Sequence, residues 1–329
     1  MERIDTMESI ERKENPVGGI QVNFRAYVDK MRRKDDIHRV GGIPDYAFAF
    51  DYKLREQLRK IPFFYTLSKK VAVMQEARFR QMMTADAIQA GPRQFSDIYN
   101  MAIDCAKRLG IGAPNVFIRH DQSINASTYA SDTVTPTIIL NSGTIERLTM
   151  GELKCIIGHE CGHVHNEHMI YTNICDLISG IFVGSGVLLQ MLSASYIILF
   201  GQWQRAAEIT CDRAGMICAD NIQDAINVNK KLAYGTFFDR EEELDIEDIR
   251  NQFGELSTVM SVVTEIGQGH PSSIRRVLAS DEFSHCDILY QWRPELKKAG
   301  MTLNSKEETD RKCEKYTALV KEPKGGKKS

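Results

Sequence analysis

The segment Thr149–His168, TMGELKCIIGHECGHVHNEH, carries two demands that few arrangements of a chain can meet together. Thr149 and Glu152 form a T-x-x-E pair of the kind that opens a helix. On that helix Leu153, Ile157, Cys161 and Val164 fall within about 80° of one another, an apolar stripe that needs a core to pack on. His159 and His163 lie about 40° apart on the other side, where two imidazoles can converge on one ion. Glu160 projects between the two faces and can reach a water held by that ion without ligating it. Hydrolysis by zinc needs this division of labour, so the helix must be buried on one side and face a further ligand on the other.

On a continuous helix His165 and His168 sit about 120° or more away from both His159 and His163, too far round to share their ion. They read as packing or capping histidines near the helix end, where a cation suits the macrodipole. The residue that best completes the set is Glu208, in the helical stretch Arg205–Gly215. Glu208 and Asp212 are spaced i, i+4, so both carboxylates share one face. Glu208 would give a His-His-Glu site with a fourth position open for water. Asp212 would accept the remaining ring N–H of a ligating histidine and fix its tautomer. Cys161 and Cys211 neighbour these residues, and their directions on the two helices suggest packing.

HECGHVHNEH followed by EITCD, preceded by Asn125-Ala126 and followed by His270-Pro271 and Arg276, resembles the HtpX/CAAX-protease family of gluzincin metallopeptidases. The resemblance spans roughly residues 66 to 285. It implies Glu208 as third zinc ligand, a substrate-binding edge strand at Asn125 and Ala126, and His270 and Arg276 as a catalytic pair near the active site. His270 would stabilise the oxyanion or occupy zinc's fourth position in a latent state. Arg276 would bind a substrate carbonyl or hold acidic side chains in place. Members are integral membrane proteases or soluble relatives, often linked to protein quality control. This chain departs from them in lacking obvious N-terminal spans and in carrying Ser127 where an aromatic residue is common.

Forty-two basic and forty-four acidic residues nearly cancel, which gives no reason to expect a nucleic-acid partner. The eight cysteines show no C-x-x-C pair, so they read as mostly buried thiols in a reducing, cytoplasmic compartment. The charged start MERIDTMESIERKENP reads as neither a signal peptide nor an anchor. Residues 1–19 read as a flexible lead-in and 20–38 as an amphipathic helix, with further helices near 49–60 and 66–83. Gln94–Leu109 reads as a helix stopped by Gly110. Short apolar runs at 115–119, 124–129 and 137–140 suggest a small antiparallel sheet ahead of the metal helix.

Residues 177–204 carry no formal charge over twenty-eight positions. That is long enough for one membrane span, but a single span would place His159 and Glu208 on opposite sides of a bilayer. The run therefore reads as a buried hairpin, or as a loop inserted into one leaflet that gives membrane contact.

The expected fold is α+β and mainly α-helical, a zincin-type domain with a small antiparallel sheet beside the H-E-x-x-H helix. An N-terminal extension (1–65) would precede the peptidase domain (66–285, apolar hairpin near 177–204), and a C-terminal helix and Lys/Gly-rich tail (286–329) would follow. The expected function is a one-zinc endopeptidase acting on protein or peptide substrates with Glu160 as general base. The alternative is a zinc-stabilised, non-catalytic scaffold that binds unfolded or partner proteins. Oligomeric state is left open.

Overall fold

In the computed structural model the strand with every residue buried lies inside a small sheet. This strand is β6 (Thr137–Asn141). It sits between β4 (Asn115–Arg119) and β5 (Ala126–Tyr129), with β3 (Ala87–Gln89) outside β4. A separate two-residue ladder pairs β1 (Arg39–Val40) with β2 (Ile43–Pro44). The structure describes residues 38–40, 42–60, 79, 81, 83, 85–130, 135–169, 171–172, 187–235, 244–255 and 273–317, and for 59, 187–198, 253–255 and 273 it describes backbone alone. The expected helix at 20–38 and most of that at 66–83 fall outside these residues.

Two of the pairings in the larger sheet are antiparallel, β3 with β4 and β5 with β6. They bear out the expected small antiparallel sheet, and the third pairing adds what the runs did not foretell: β4 and β6 run parallel, with Val116 opposite Ile138 and Ile118 opposite Leu140. The reason is burial. TIILN is buried at all five positions and belongs in the interior of a sheet, whereas ASTY is exposed at Ser127 and tolerates an edge. The chain therefore passes from β4 out to the edge before returning between the two.

The described residues also form ten α-helices. They are α1 (Ala49–Arg59), α2 (Ser96–Leu109), α3 (Ser142–Arg147), α4 (Met150–His165), α5 (Val187–Cys218) and α6 (Ile222–Tyr234), then α7 (Ile246–Glu255), α8 (Ser273–Ser284), α9 (Asp287–Trp292) and α10 (Lys306–Thr317). α2 buries Ile98, Ala102, Cys105, Ala106 and Leu109 along one face and stops at Gly110, whose φ of 69° is left-handed.

α4 begins in a complete capping box: the Glu152 amide donates to Thr149 Oγ1 and the Thr149 amide donates to Glu152 Oε2. Thirteen of its sixteen residues are buried, so the ligand face is enclosed as well as the apolar stripe. What covers it is α5. A Cβ added to Gly158 would lie 2.5 Å from Cys218 Cβ, one on Gly162 2.7 Å from Ala214 Cβ, and one on Gly215 2.7 Å from the Cys155 carbonyl oxygen. Three missing side chains thus let the two helix backbones come close enough for residues on each to share a site.

The second half of the uncharged run, 187–204, is continuous with the Glu208 stretch in α5. Phe200 and Trp203 are buried there against α1, α8 and α10, in a core that also takes Phe48, Leu54 and Leu58 from the segment expected as an extension. Among the described residues no helix is long and apolar enough to cross a membrane. The seven cysteines of the described residues are buried thiols.

Candidate metal centre

α4 and α5 bring His159, His163 and Glu208 together. Glu208 Oε2 lies 3.4 Å from His159 Nε2, and Oε1 lies 3.4 Å from His163 Nε2. That is long for a charge-assisted hydrogen bond. Each distance is close to the roughly 3.3–3.4 Å between two atoms held about 2.0–2.1 Å from one ion at the tetrahedral angle, and because the contacts use different carboxylate oxygens, Glu208 faces both rings at once. The three side chains are at most 14% exposed and fit one small N/O-liganded cation.

The outward nitrogen of His159 is held by Asp212, with Nδ1 2.9 Å from Oδ1. Asp212 is clamped in turn by Arg276, whose Nε and Nη2 donate to Oδ2 and Oδ1 at 2.8 and 2.5 Å. The same guanidinium places Nη1 3.3 Å from Glu208 Oε2. Burial alone would raise the Asp212 carboxyl, but Arg276 and His159 hold it below the usual range. For Glu208 too, burial is outweighed by His159, His163 and Arg276, and the carboxyl is held well down. Burial pulls the His159 ring down, but its bonds to Asp212 and Glu208 win and raise it to about 10.

One expectation changes here. Arg276 is buried with its guanidinium on Asp212 and Glu208, the geometry of the second of its two expected roles, holding acidic side chains in place. The change concerns His168. His168 is no capping cation. α4 ends at His165 and Glu167 takes a left-handed φ of 58°, so the chain folds back and the angular argument from a continuous helix fails. His168 Nδ1 thereby lies 3.1 Å from His163 Nδ1, and its Nε2 lies 3.0 Å from Asp51 Oδ2 on α1. Burial, only partly countered by Asp51, pulls His168 down to about 4, so the ring is neutral. His165 is also buried and neutral, with Nδ1 2.9 Å from the Tyr46 hydroxyl.

Glu160 is buried on α4 beside β5, where the Thr128 hydroxyl donates to its Oε2 at 2.6 Å. Neither Thr128 nor the His168–Asp51 pair is foreshadowed by a motif. Asp51 stands more than a hundred positions from His163 in a segment with no local signature of its role.

At the expected substrate strand, the Asn125 amide donates to Thr144 Oγ1 and its carbonyl accepts from the Asn141 amide. Asn125 is therefore committed inward through its backbone. Alternation along β5 then puts the backbone polar groups of Ala126 and Thr128 on the outer edge. His270 lies outside the described residues.

Cys211 offers a rival ligand set, since its sulfur and one ring nitrogen of each of His159 and His163 lie within 4.8 Å of one another. In the metal-free site burial, with Glu208 beside it, pushes that thiol well up, so binding through sulfur would first have to displace a proton that Glu208 does not carry. A ligand must be deprotonated, which favours the ionised Glu208.

The family model described as peptidase family M48 matches residues 92–283, more than half of the chain. The chain is 28% identical over 192 residues to the plastoglobule-localized metallopeptidase 48 of Arabidopsis thaliana, covering 58% of this chain and 56% of that protein. It is 24% identical over 102 residues to a protease HtpX homolog of Thermoanaerobacter pseudethanolicus, covering 31% and 34%. The crystal structure of S. mikatae Ste24p superposes with a TM-score of 0.44 at 14% identity, over 70% of this chain and 61% of that one. The chain thus spans just over half the length of the plant relative and about a third of the bacterial one.

Proposed function

Because the chain belongs to peptidase family M48, we propose that it is a zinc-dependent endopeptidase hydrolysing peptide bonds in protein substrates, with His159, His163 and Glu208 as the ligands. The observation that carries this reading is the pair of 3.4 Å separations between Glu208 and the two Nε2 atoms. A bound zinc ion supplies a Lewis acid that polarises the scissile carbonyl and lowers the pKa of a water from 15.7 toward about 7.

The rest is the work of the chain's own side chains. Glu160 takes the proton of the attacking water on its carboxylate and returns it to the nitrogen of the leaving amine. Thr128 engages Oε2, which orients the carboxylate and leaves Oε1 for the proton. Asp212 accepts the His159 Nδ1–H and keeps Nε2 as the ligating nitrogen, while Arg276 neutralises Asp212 and braces Glu208. Extended substrate adds to the outer edge of β5 by main-chain hydrogen bonds at Ala126 and Thr128. That edge is supported by β5 having β6 as its strand partner on one side, among the described strands.

The scaffold alternative predicts a carboxylate at 160 with no consequence for turnover. Glu160→Gln should keep the parent's zinc content and cleave an unfolded protein such as casein at least about 10²-fold more slowly. Glu208→Ala should lose both zinc and cleavage. Equal rates for Glu160→Gln and the parent would end the catalytic reading.

A further inference from the structure

His163 can offer Nε2 to an ion only if its proton sits on Nδ1, and Asp212, which does this service for His159, is already committed there. The groups beyond His163 Nδ1 decide the matter. Asp51 is fully buried; its Oδ1 accepts from Trp203 Nε1 at 2.9 Å, and its Oδ2 from Thr210 Oγ1 at 2.9 Å and His168 Nε2 at 3.0 Å. An ionised carboxylate only accepts, so His168 carries its proton on Nε2 and turns the lone pair of Nδ1 toward His163. Two groups face that lone pair, His163 Nδ1 at 3.1 Å and the Cys211 thiol at 3.4 Å, and because a thiol is the weaker donor the proton across the shorter contact comes from His163 Nδ1. His163 is left with its lone pair on Nε2, the nitrogen that faces Glu208.

We propose that His168 and Asp51 are positioning residues that set the tautomer and ring orientation of His163 and so determine how tightly the site holds its metal. This rests on reading His159, His163 and Glu208 as ligands. The two histidines are then supported unequally, His159 by a carboxylate directly and His163 by a carboxylate acting through a second imidazole. Asp51 stands on α1, outside the 92–283 stretch that carries the family match, so the peptidase domain depends on the segment before it for one ligand's orientation.

A packing role for His168 is the competing account, since the ring is wholly buried and stands edge-on to Trp203 with centroids 5.8 Å apart. The two accounts predict opposite orders for two substitutions. A glutamine can accept the His163 Nδ1–H with its carbonyl and donate its amide to Asp51, whereas a leucine fills the space and does neither. In the full-length chain, zinc affinity would be measured by competition with a chromophoric chelator, alongside thermal unfolding of the metal-free forms.

His168→Leu should bind zinc about 10–100-fold more weakly than the parent, and His168→Gln should stay close to it. Should a substitution at 168 prevent folding, Asp51→Asn carries the test. Its amide must turn an NH₂ toward a group that itself donates, and the expected loss is again about tenfold or more. Parent-like affinity in His168→Leu or Asp51→Asn, or equal losses in His168→Gln and His168→Leu, would overturn the relay. His163→Ala separates the two levels: loss of zinc there leaves the ligand assignment standing whatever becomes of the relay, and parent-like binding there removes both.

Discussion

Replacing Gly162 by alanine sets two effects of opposite sign against each other. Exchanging glycine for alanine inside a helix is worth up to about 1 kcal/mol in stability. Here the new methyl would stand 2.7 Å from Ala214 Cβ and 3.1 Å from Cys211 Cα, where carbon atoms ordinarily rest about 3.5–4.0 Å apart. Neither neighbour has a rotamer to change, so α4 and α5 must part by roughly 1 Å, and overpacking of this kind costs about 1–3 kcal/mol. Packing should win, and the protein should be destabilised by roughly 1 kcal/mol. The same displacement would stretch the 3.4 Å separations between Glu208 and the two histidines beyond what one ion can bridge. Zinc affinity, measured by chelator competition, should therefore fall at least about tenfold. Gly201→Ala on the same α5 is the control, because among the described residues its added methyl meets Arg205 Nη1 alone, at 3.6 Å, an ordinary contact. It should raise the unfolding temperature and leave zinc binding alone. If Gly162→Ala behaves like Gly201→Ala, close approach of the two helices is not what builds the site.

Other outcomes follow from the same geometry. Asp212→Asn should weaken zinc binding about 10–100-fold, because the carboxylate charge is lost and one of its two acceptor oxygens becomes an NH₂, which leaves either His159 Nδ1–H or Arg276 Nε–H facing a donor. Thr128→Val should leave zinc content unchanged and lower kcat about tenfold or more, since a hydrogen bond to a charged group is worth about 1.5–3 kcal/mol. Metal loading should release protons, seen as pH change in weakly buffered solution, because His159 is raised to about 10 in the metal-free protein. Each proton displaced adds a slope of about one to log affinity against pH, so binding should tighten as pH rises from 6 to 9. For stability of the metal-free form the sign reverses. The contribution of His159 is fully present below its ordinary value of 6.5 and is lost as pH rises through about 10, so chelator-treated protein should melt lower at pH 10 than at pH 7.

Features that depend on neighbours along the chain were legible in the residues. The Thr149–Glu152 capping box, the α2 stripe ending at Gly110, and the i, i+4 spacings of His159 with His163 and Glu208 with Asp212 are set by helix geometry alone. The same reasoning misplaced His168 because it extended α4 past its end, and a left-handed Glu167 is not visible to an argument from periodicity. It found the small antiparallel sheet but not its one parallel pairing, because the order of strands depends on which of them is buried most completely.

By itself the sequence determined which atoms could serve as ligands and base, since donor chemistry and spacing within one helix belong to the residues themselves. Only the tertiary structure decided their partners. Glycines at 158, 162 and 215 permit the α4–α5 approach that delivers Glu208, and burial forces Arg276 onto Asp212 and Glu208, Thr128 onto Glu160, His168 onto His163 and Asp51 onto His168. A buried polar atom without a partner costs about 1–3 kcal/mol, and which partner it finds is settled by the segments that fold across it, however far away they lie in the chain.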